Sequence, residues 1–194
     1  SKPTRNYGAV QVTELMDAGG NQRVIMRFDC SSIPTSSTII SASLNVYKSD
    51  YISTSRLGVC TLYAIKQSNG DWTEGAGVGS FDAGFGESCW NAKEADGVGG
   101  VTTAWAGSAG LKTAGTDYDA TSIGSFEYNR ADAQFTKYTG SFNATGLTYI
   151  TTWCGTNDFN YGILLVVNNN FLQFYLNDYV NASYRPYLEI TYTT

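Results

Sequence analysis

Asp71-Trp72-Thr73-Glu74 sets two carboxylates around an aromatic ring, the closest approach in this chain to an acid/base pair. Glycoside hydrolysis needs two carboxyl groups about 5–9 Å apart across a cleft. The competing reading is a structural corner, with Trp72 buried and the acids closing turns. The chain has no histidine, which removes the commonest general base and the commonest transition-metal ligand together. A second set of carboxylates, Asp96, Asp117 and Asp119, lies in or near a glycine-rich stretch. Oxygen ligands at i and i+2, helped by loop carbonyls, suit structural calcium. Solvated loop acids are the plainer alternative. Trp90, Trp105, Tyr118 and Tyr128 could stack against the apolar faces of pyranose rings. Each could equally pack back onto a core.

Cys30, Cys60, Cys89 and Cys154 are even in number and widely spaced, and none forms a Cys-x-x-Cys zinc signature. Two disulfides fit, in any of three pairings; buried thiols are the alternative. Asn143-Ala144-Thr145 and Asn181-Ala182-Ser183 are glycosylation sequons, so Asn143 and Asn181 are candidate acceptors on a secretory route.

These residues need elements to position them, and the bulk composition says which kind. The 194 residues suffice for one large β domain spanning 1–194. Such a chain buries roughly 70% of its unfolded surface, enough for a core. Charged residues make up 15% and aromatics 14%, with 14 Tyr, 21 Gly and 3 Pro, which is the texture of a turn-rich β protein. A net charge of −5 argues against nucleic-acid and anionic-membrane partners. No segment is long or apolar enough to insert in a membrane as a helix. The chain starts at Ser1, so it reads as a processed or excised piece.

Period-2 alternation is the dominant pattern. Val24, Met26, Phe28 and Cys30 alternate with Arg23, Arg27 and Asp29. Ile40, Ala42, Leu44 and Val46 alternate with Ser41, Ser43 and Asn45. Leu57 to Ile65 is apolar on both faces and predicts a central strand. Ser125 to Tyr128, Phe135 to Phe142, Ile163 to Val167, Phe171 to Leu176 and Tyr187 to Tyr192 complete the set, the last with Leu188, Ile190 and Tyr192 facing in. Asn168-Asn169-Asn170 predicts a hairpin turn. Asn6-Tyr7-Gly8 and Asn160-Tyr161-Gly162 each read as a corner feeding a strand. One helix is expected over Thr145 to Cys154, capped by Thr145, with Leu147, Ile150 and Cys154 on one face. From about 75 to 120 a long arm rich in Gly, Ala and Ser breaks the pattern; long loops of this kind are functional or lie packed over the core. The Tyr-rich segments Phe171 to Tyr179 and Tyr184 to Tyr192 suit edge strands or protein contacts. The expected fold is therefore an all-β, two-sheet β-sandwich, jelly-roll-like, with one short helix and a long Gly-rich arm.

Five segments in order resemble a known type. They are Arg27-Phe28-Asp29-Cys30-Ser31-Ser32-Ile33-Pro34, Ile39 to Tyr47, Asp71-Trp72-Thr73-Glu74-Gly75, Asn160-Tyr161-Gly162 and Arg185-Pro186-Tyr187-Leu188-Glu189-Ile190-Thr191-Tyr192. Together they are similar to DNRLRE-type extracellular β-sandwich domains, related to a carbohydrate-binding module family associated with alginate-degrading enzymes. The resemblance implies a sandwich, an extracellular or cell-surface location and a non-catalytic role: binding polysaccharide or acting as an adhesive surface domain. Members of that type usually carry a strand before the first Asn-Tyr-Gly, where this sequence has only Ser1 to Arg5. A strand supplied by a neighbouring copy could fill such a gap. The second expectation is therefore a structural subunit of an extracellular filament or surface layer, assembled by strand donation. A carboxylate-based polysaccharide hydrolase or lyase ranks last. Expected partners are a polysaccharide or neighbouring copies of the chain.

Overall fold

A computed structural model describes residues 3–16, 22–49, 54–155, 159–168 and 171–194. It is all-β and sandwich-like, with one short α-helix. In chain order the strands are β1 Val12–Met16, β2 Val24–Met26, β3 Thr38–Tyr47, β4 Leu57–Ala64, β5 Glu94–Ala95 and β6 Val101–Thr103. They continue with β7 Gly124–Asn129, β8 Lys137–Phe142, helix α1 Ala144–Trp153, then β9 Ile163–Val167, β10 Phe171–Tyr175 and β11 Tyr187–Thr193. The expected hairpin is a correction: β9 pairs with β4 and β2 whereas β10 pairs with β1, so the chain passes from one sheet to the other between them, and Asn169 and Asn170 of that connection lie outside the described residues.

Every strand ladder is antiparallel. Seven strands join in the order β11-β3-β8-β7-β4-β9-β2, while β1 pairs with β10 and β5 with β6. The β7–β8 ladder is confined to Gly124↔Phe142 and Ser125↔Ser141. The sheet curls there, so the inner faces of its two halves meet in one core. That core takes Leu44 and Val46 from β3, Cys60 and Leu62 from β4, Phe126 and Tyr128 from β7, and Ile163, Leu165 and Val167 from β9. β1 and β10 add Leu15, Leu172 and Phe174. A Lys48↔Phe174 bridge joins β10 to the end of β3.

The alternation places most strands correctly. β4 is central, between β7 and β9. Its outer face is not uniformly covered, because Leu57 is 79% exposed. Ile40 is a correction. Thr191 pairs with Ser41 but Tyr192 pairs with Ile39, so Ile40 is the extra residue of a β-bulge. The bulge turns Ile39 to the core and leaves Ile40 exposed. Tyr192, on the other side of the same irregularity, is exposed rather than inward.

The helix forms where its apolar spacing predicts, with a different cap. Asn143, in extended conformation, accepts from the Gly146 N–H through Oδ1 at 2.9 Å. Thr145 falls inside the first turn. Asn143 also donates through Nδ2 to the Ser122 carbonyl at 2.8 Å, tying the helix start to the β7 approach. Ile150 and Trp153 are buried, and α1 lies against β3 and β8.

The arm is packed. Ile65, Trp72, Trp105, Leu111, Tyr118 and Leu164 form a second apolar cluster, joined by Ile25, Tyr63, Tyr161 and Val166. It lies on the outer face of the β4-β9-β2 region, opposite the main core.

A candidate binding cleft between two strand edges

The second cluster exists because one buried carboxylate holds the arm in shape. Asp117 is fully buried and has all its acceptor capacity in use. Oδ1 accepts from the Gly107 N–H at 2.7 Å and Asn69 Nδ2 at 3.1 Å. Oδ2 accepts from the Thr113 N–H at 2.8 Å and the Ser108 N–H at 3.1 Å. Trp105 then donates its indole N–H to the Cys89 carbonyl at 3.0 Å, and Trp72 to the Tyr161 carbonyl at 2.8 Å. A fully buried Asn6 fastens the start of the chain to the same arm. It donates to the Glu74 and Ser88 carbonyls and accepts from the Gly8 and Gly77 N–H groups.

The edge of this arm and two strands enclose a cleft of about 790 Å³. One wall is β1, through Val12, Thr13 and Glu14; the other is β2 with its flanks, Gln22 to Phe28. β1 and β2 meet at a Met16↔Gln22 bridge and diverge from it. Among the described residues β1 has one ladder partner, β10, and β2 has one, β9. Their second edges therefore border the cleft without a further ladder. Trp72, Trp90 and Trp105 line it from the arm side, and Arg5, Arg23 and Arg27 border it. Arg27 lies 5.0 Å from the Trp72 ring and Arg23 5.7 Å from the Tyr118 ring, the geometry of cation–π contact. Arg23 donates to the Leu111 carbonyl and Arg5 to the Gly79 carbonyl at 2.5 Å, so both heads are fixed in place. Glu74 also lines the cleft. Its carboxyl is raised above the usual range, first by desolvation and then by the nearby Asp178 carboxylate, with Arg27 acting the other way.

The structure separates the four expected stacking residues. Trp90 and Trp105 share the cleft wall, and Trp90 keeps part of its ring accessible. Tyr118 is buried under the arm against Tyr63, at 4.9 Å between ring centroids. Tyr128 is a main-core residue at 2% exposure. Its hydroxyl finds no hydrogen-bond partner among the described residues, and its pKa is pushed up, chiefly by desolvation. Sequence reasoning missed the arginines and Trp72 as cleft residues. Alternating Arg23 and Arg27 read only as outward charges, and nothing local in sequence brings Arg5 beside them.

The three aspartates expected to hold calcium do not come together, and among the described residues no group of three or more His, Cys, Asp or Glu gathers. Asp117 is the arm staple described above. Asp96 closes the β5–β6 turn, accepting from the Val98 N–H at 2.9 Å and the Gly100 N–H at 2.8 Å, and those bonds hold its carboxyl below the ordinary value. Asp119 accepts from the Tyr149 hydroxyl at 2.6 Å, which lowers its pKa; desolvation, and after it this bond, raises that of Tyr149 to about 12. Asp71 and Glu74 flank a buried Trp72, and Glu74 lines the cleft.

Where sequence suggests two disulfides, this structure holds Cys30, Cys60, Cys89 and Cys154 without an S–S bond. Cys60 points into the main core from β4, whereas Cys89 sits in the arm on the far side of that strand. Of the two sequon residues, Asn143 is exposed while serving as the helix cap, and Asn181 is exposed while accepting from the Ser183 N–H at 3.1 Å. Many of the Tyr-rich residues stack on one another. Tyr175 and Tyr179 are 3.9 Å apart, and Phe135 lies 4.3 Å from Tyr184. Phe135 takes φ 68°, a costly backbone for a bulky residue, and its ring completes this stack.

Comparison with family models, with curated proteins and with solved structures returns no match. The likeness to DNRLRE-type domains therefore rests on the five sequence motifs alone.

Proposed function

We propose that this chain is a non-catalytic extracellular module that binds a polysaccharide segment in the cleft between β1 and β2. One observation carries the reading: the partly accessible Trp90 ring and three arginines, Arg5, Arg23 and Arg27, converge on an open cleft backed by the buried Trp72 and Trp105. Tryptophan faces suit the C–H faces of sugar rings, and fixed guanidinium groups suit hydroxyl or carboxylate oxygens. No covalent step is required, and the Glu74 carboxyl serves as a hydrogen-bonding wall residue. Affinity electrophoresis against a panel of neutral and uronic polysaccharides tests the reading. Retardation by at least one polymer, lost in Trp90→Ala, is the expected result. Unaltered migration in every gel removes the proposal, and release of reducing or unsaturated ends replaces it with catalysis.

A second reading has its own support. Two strand edges without a further ladder border the same cleft, which suits an extended segment donated by another copy of the chain. The chain would then be a filament or surface-layer subunit. Electron microscopy of native material separates the two: regular polymers favour strand donation, and dispersed monomers that shift in the gels favour the glycan.

A further inference from the structure

We propose that Cys30 and Cys154 are a disulfide-forming pair, joined when the chain folds in an oxidising compartment, and that Cys60 and Cys89 remain thiols. The geometry selects this pairing from the three that sequence leaves open. The Gly155 N–H donates to the Cys30 carbonyl at 3.3 Å, which brings the end of α1 directly beside the segment that follows β2. Cys154 is the residue before that N–H, so the two cysteines are neighbours across this contact, and the Cys154 thiol is near enough to act electrostatically on Cys30. Both side chains belong to the main core, at 2% and 6% exposure.

The other pairings lack this proximity. Met26 is opposite Ile163 on β9, whereas Cys60 is opposite Val167, four residues along the same strand. At about 3.3 Å per residue that is about 13 Å, and Cys30 lies beyond Met26 in the opposite direction. The bond from Asn160 Nδ2 to the Phe28 carbonyl, at 2.7 Å, keeps the chain running that way. Cys89 is in the arm, where its carbonyl receives the Trp105 indole, with β4 between it and the inward-facing Cys60.

Both sulfurs act as donors in this structure, Cys154 Sγ to the Ile150 carbonyl at 3.0 Å and Cys30 Sγ to the Phe28 carbonyl at 3.7 Å. Burial raises the Cys30 pKa to about 11, with the Cys154 thiol adding to the shift, and burial raises Cys154 as well. Thiolate is the attacking species in exchange, so the folded dithiol reacts slowly and oxidation belongs to folding. The balance is simple. A disulfide oxidant such as glutathione disulfide accepts two electrons from the pair; each cysteine gives up its proton, one S–S bond forms, one breaks, and two thiols leave. The bond ties the segment after β2 to the end of α1, elements far apart in sequence.

The test refolds the full chain in a glutathione redox buffer, traps thiols with iodoacetamide after denaturation and maps the peptides. Two adducts, on Cys60 and Cys89, with a Cys30–Cys154 linked peptide, are expected. Reduction should then lower the melting midpoint by roughly 5–15 °C. Cys30→Ser, Cys154→Ser and the double variant should match the reduced wild type and stop responding to reductant. Four adducts after refolding, or a linked peptide containing Cys60 or Cys89, overturn the proposal. So does a melting midpoint in Cys30→Ser that still falls on reduction by as much as the wild type's.

Discussion

Tyr128 illustrates how little residue type says about role in this chain. As an aromatic near the arm it reads as a sugar-stacking candidate, yet it is a core residue with an orphan hydroxyl. An unpaired buried hydroxyl costs about 1–3 kcal/mol relative to a paired one, so removing it should help. Tyr128→Phe is expected to raise stability by about 1 kcal/mol in urea denaturation and to leave ligand binding unchanged. Asp119 and Tyr149 make a pH-dependent contact at the foot of α1. Because the Asp119 pKa is depressed, its contribution is present above the ordinary aspartate value and lost as pH falls through the depressed one. Tyr149 is raised to about 12, so its share holds below the ordinary tyrosine value and is lost as pH climbs through about 12. Tyr149→Phe should lower the urea midpoint at pH 6 by the equivalent of roughly 0.5–1 kcal/mol. That difference from wild type should shrink on acidification below the ordinary aspartate pKa. A gap that stays constant from pH 6 to strong acid would assign the loss to packing instead.

At the scale of elements, the strands were legible and the arm was not. Alternation in β3, β7 and β11 follows directly from a half-buried pleat, whereas β9 is apolar throughout and buried on both faces. Ile40 escaped because a bulge inserts one residue without any local mark in sequence. The helix was found by its apolar spacing, but its cap was misplaced by two residues. Asn143 and Thr145 are both competent caps, and only the bond to Gly146 decides between them. In the arm, order comes from Asp117 and a few large side chains pressed on the outside of the sheet, a pattern with no period. Asp117→Asn turns one acceptor oxygen into a donor facing backbone N–H groups, so it should cost about 3 kcal/mol. Hydrogen exchange should show the loss concentrated in residues 105–118, with the main-core strands β3 and β9 still protected. Uniform loss of protection across the sheets would show that the arm and the sandwich are one cooperative unit.

For the whole molecule, the two clusters define the architecture: a curled antiparallel sheet closing on a main core, and a glycine-rich arm sealing its outer face. The cleft arises where those parts leave β1 and β2 apart. It was illegible in sequence because its walls come from Arg5, β1, β2, Trp72 and Trp90, which only the fold assembles. The absence of histidine and the burial of Trp72, by contrast, were readable at once, and the first steers the account toward binding. Isothermal titration of the purified chain with oligosaccharides of the polymer that retards it, beside Trp90→Ala, tests the central claim most directly. The account predicts saturable heat at one site per chain and at least a tenfold weaker affinity in the variant, about 1.4 kcal/mol. Equal affinity in the two proteins, with Trp90→Ala folded, would contradict the placement of ligand in this cleft.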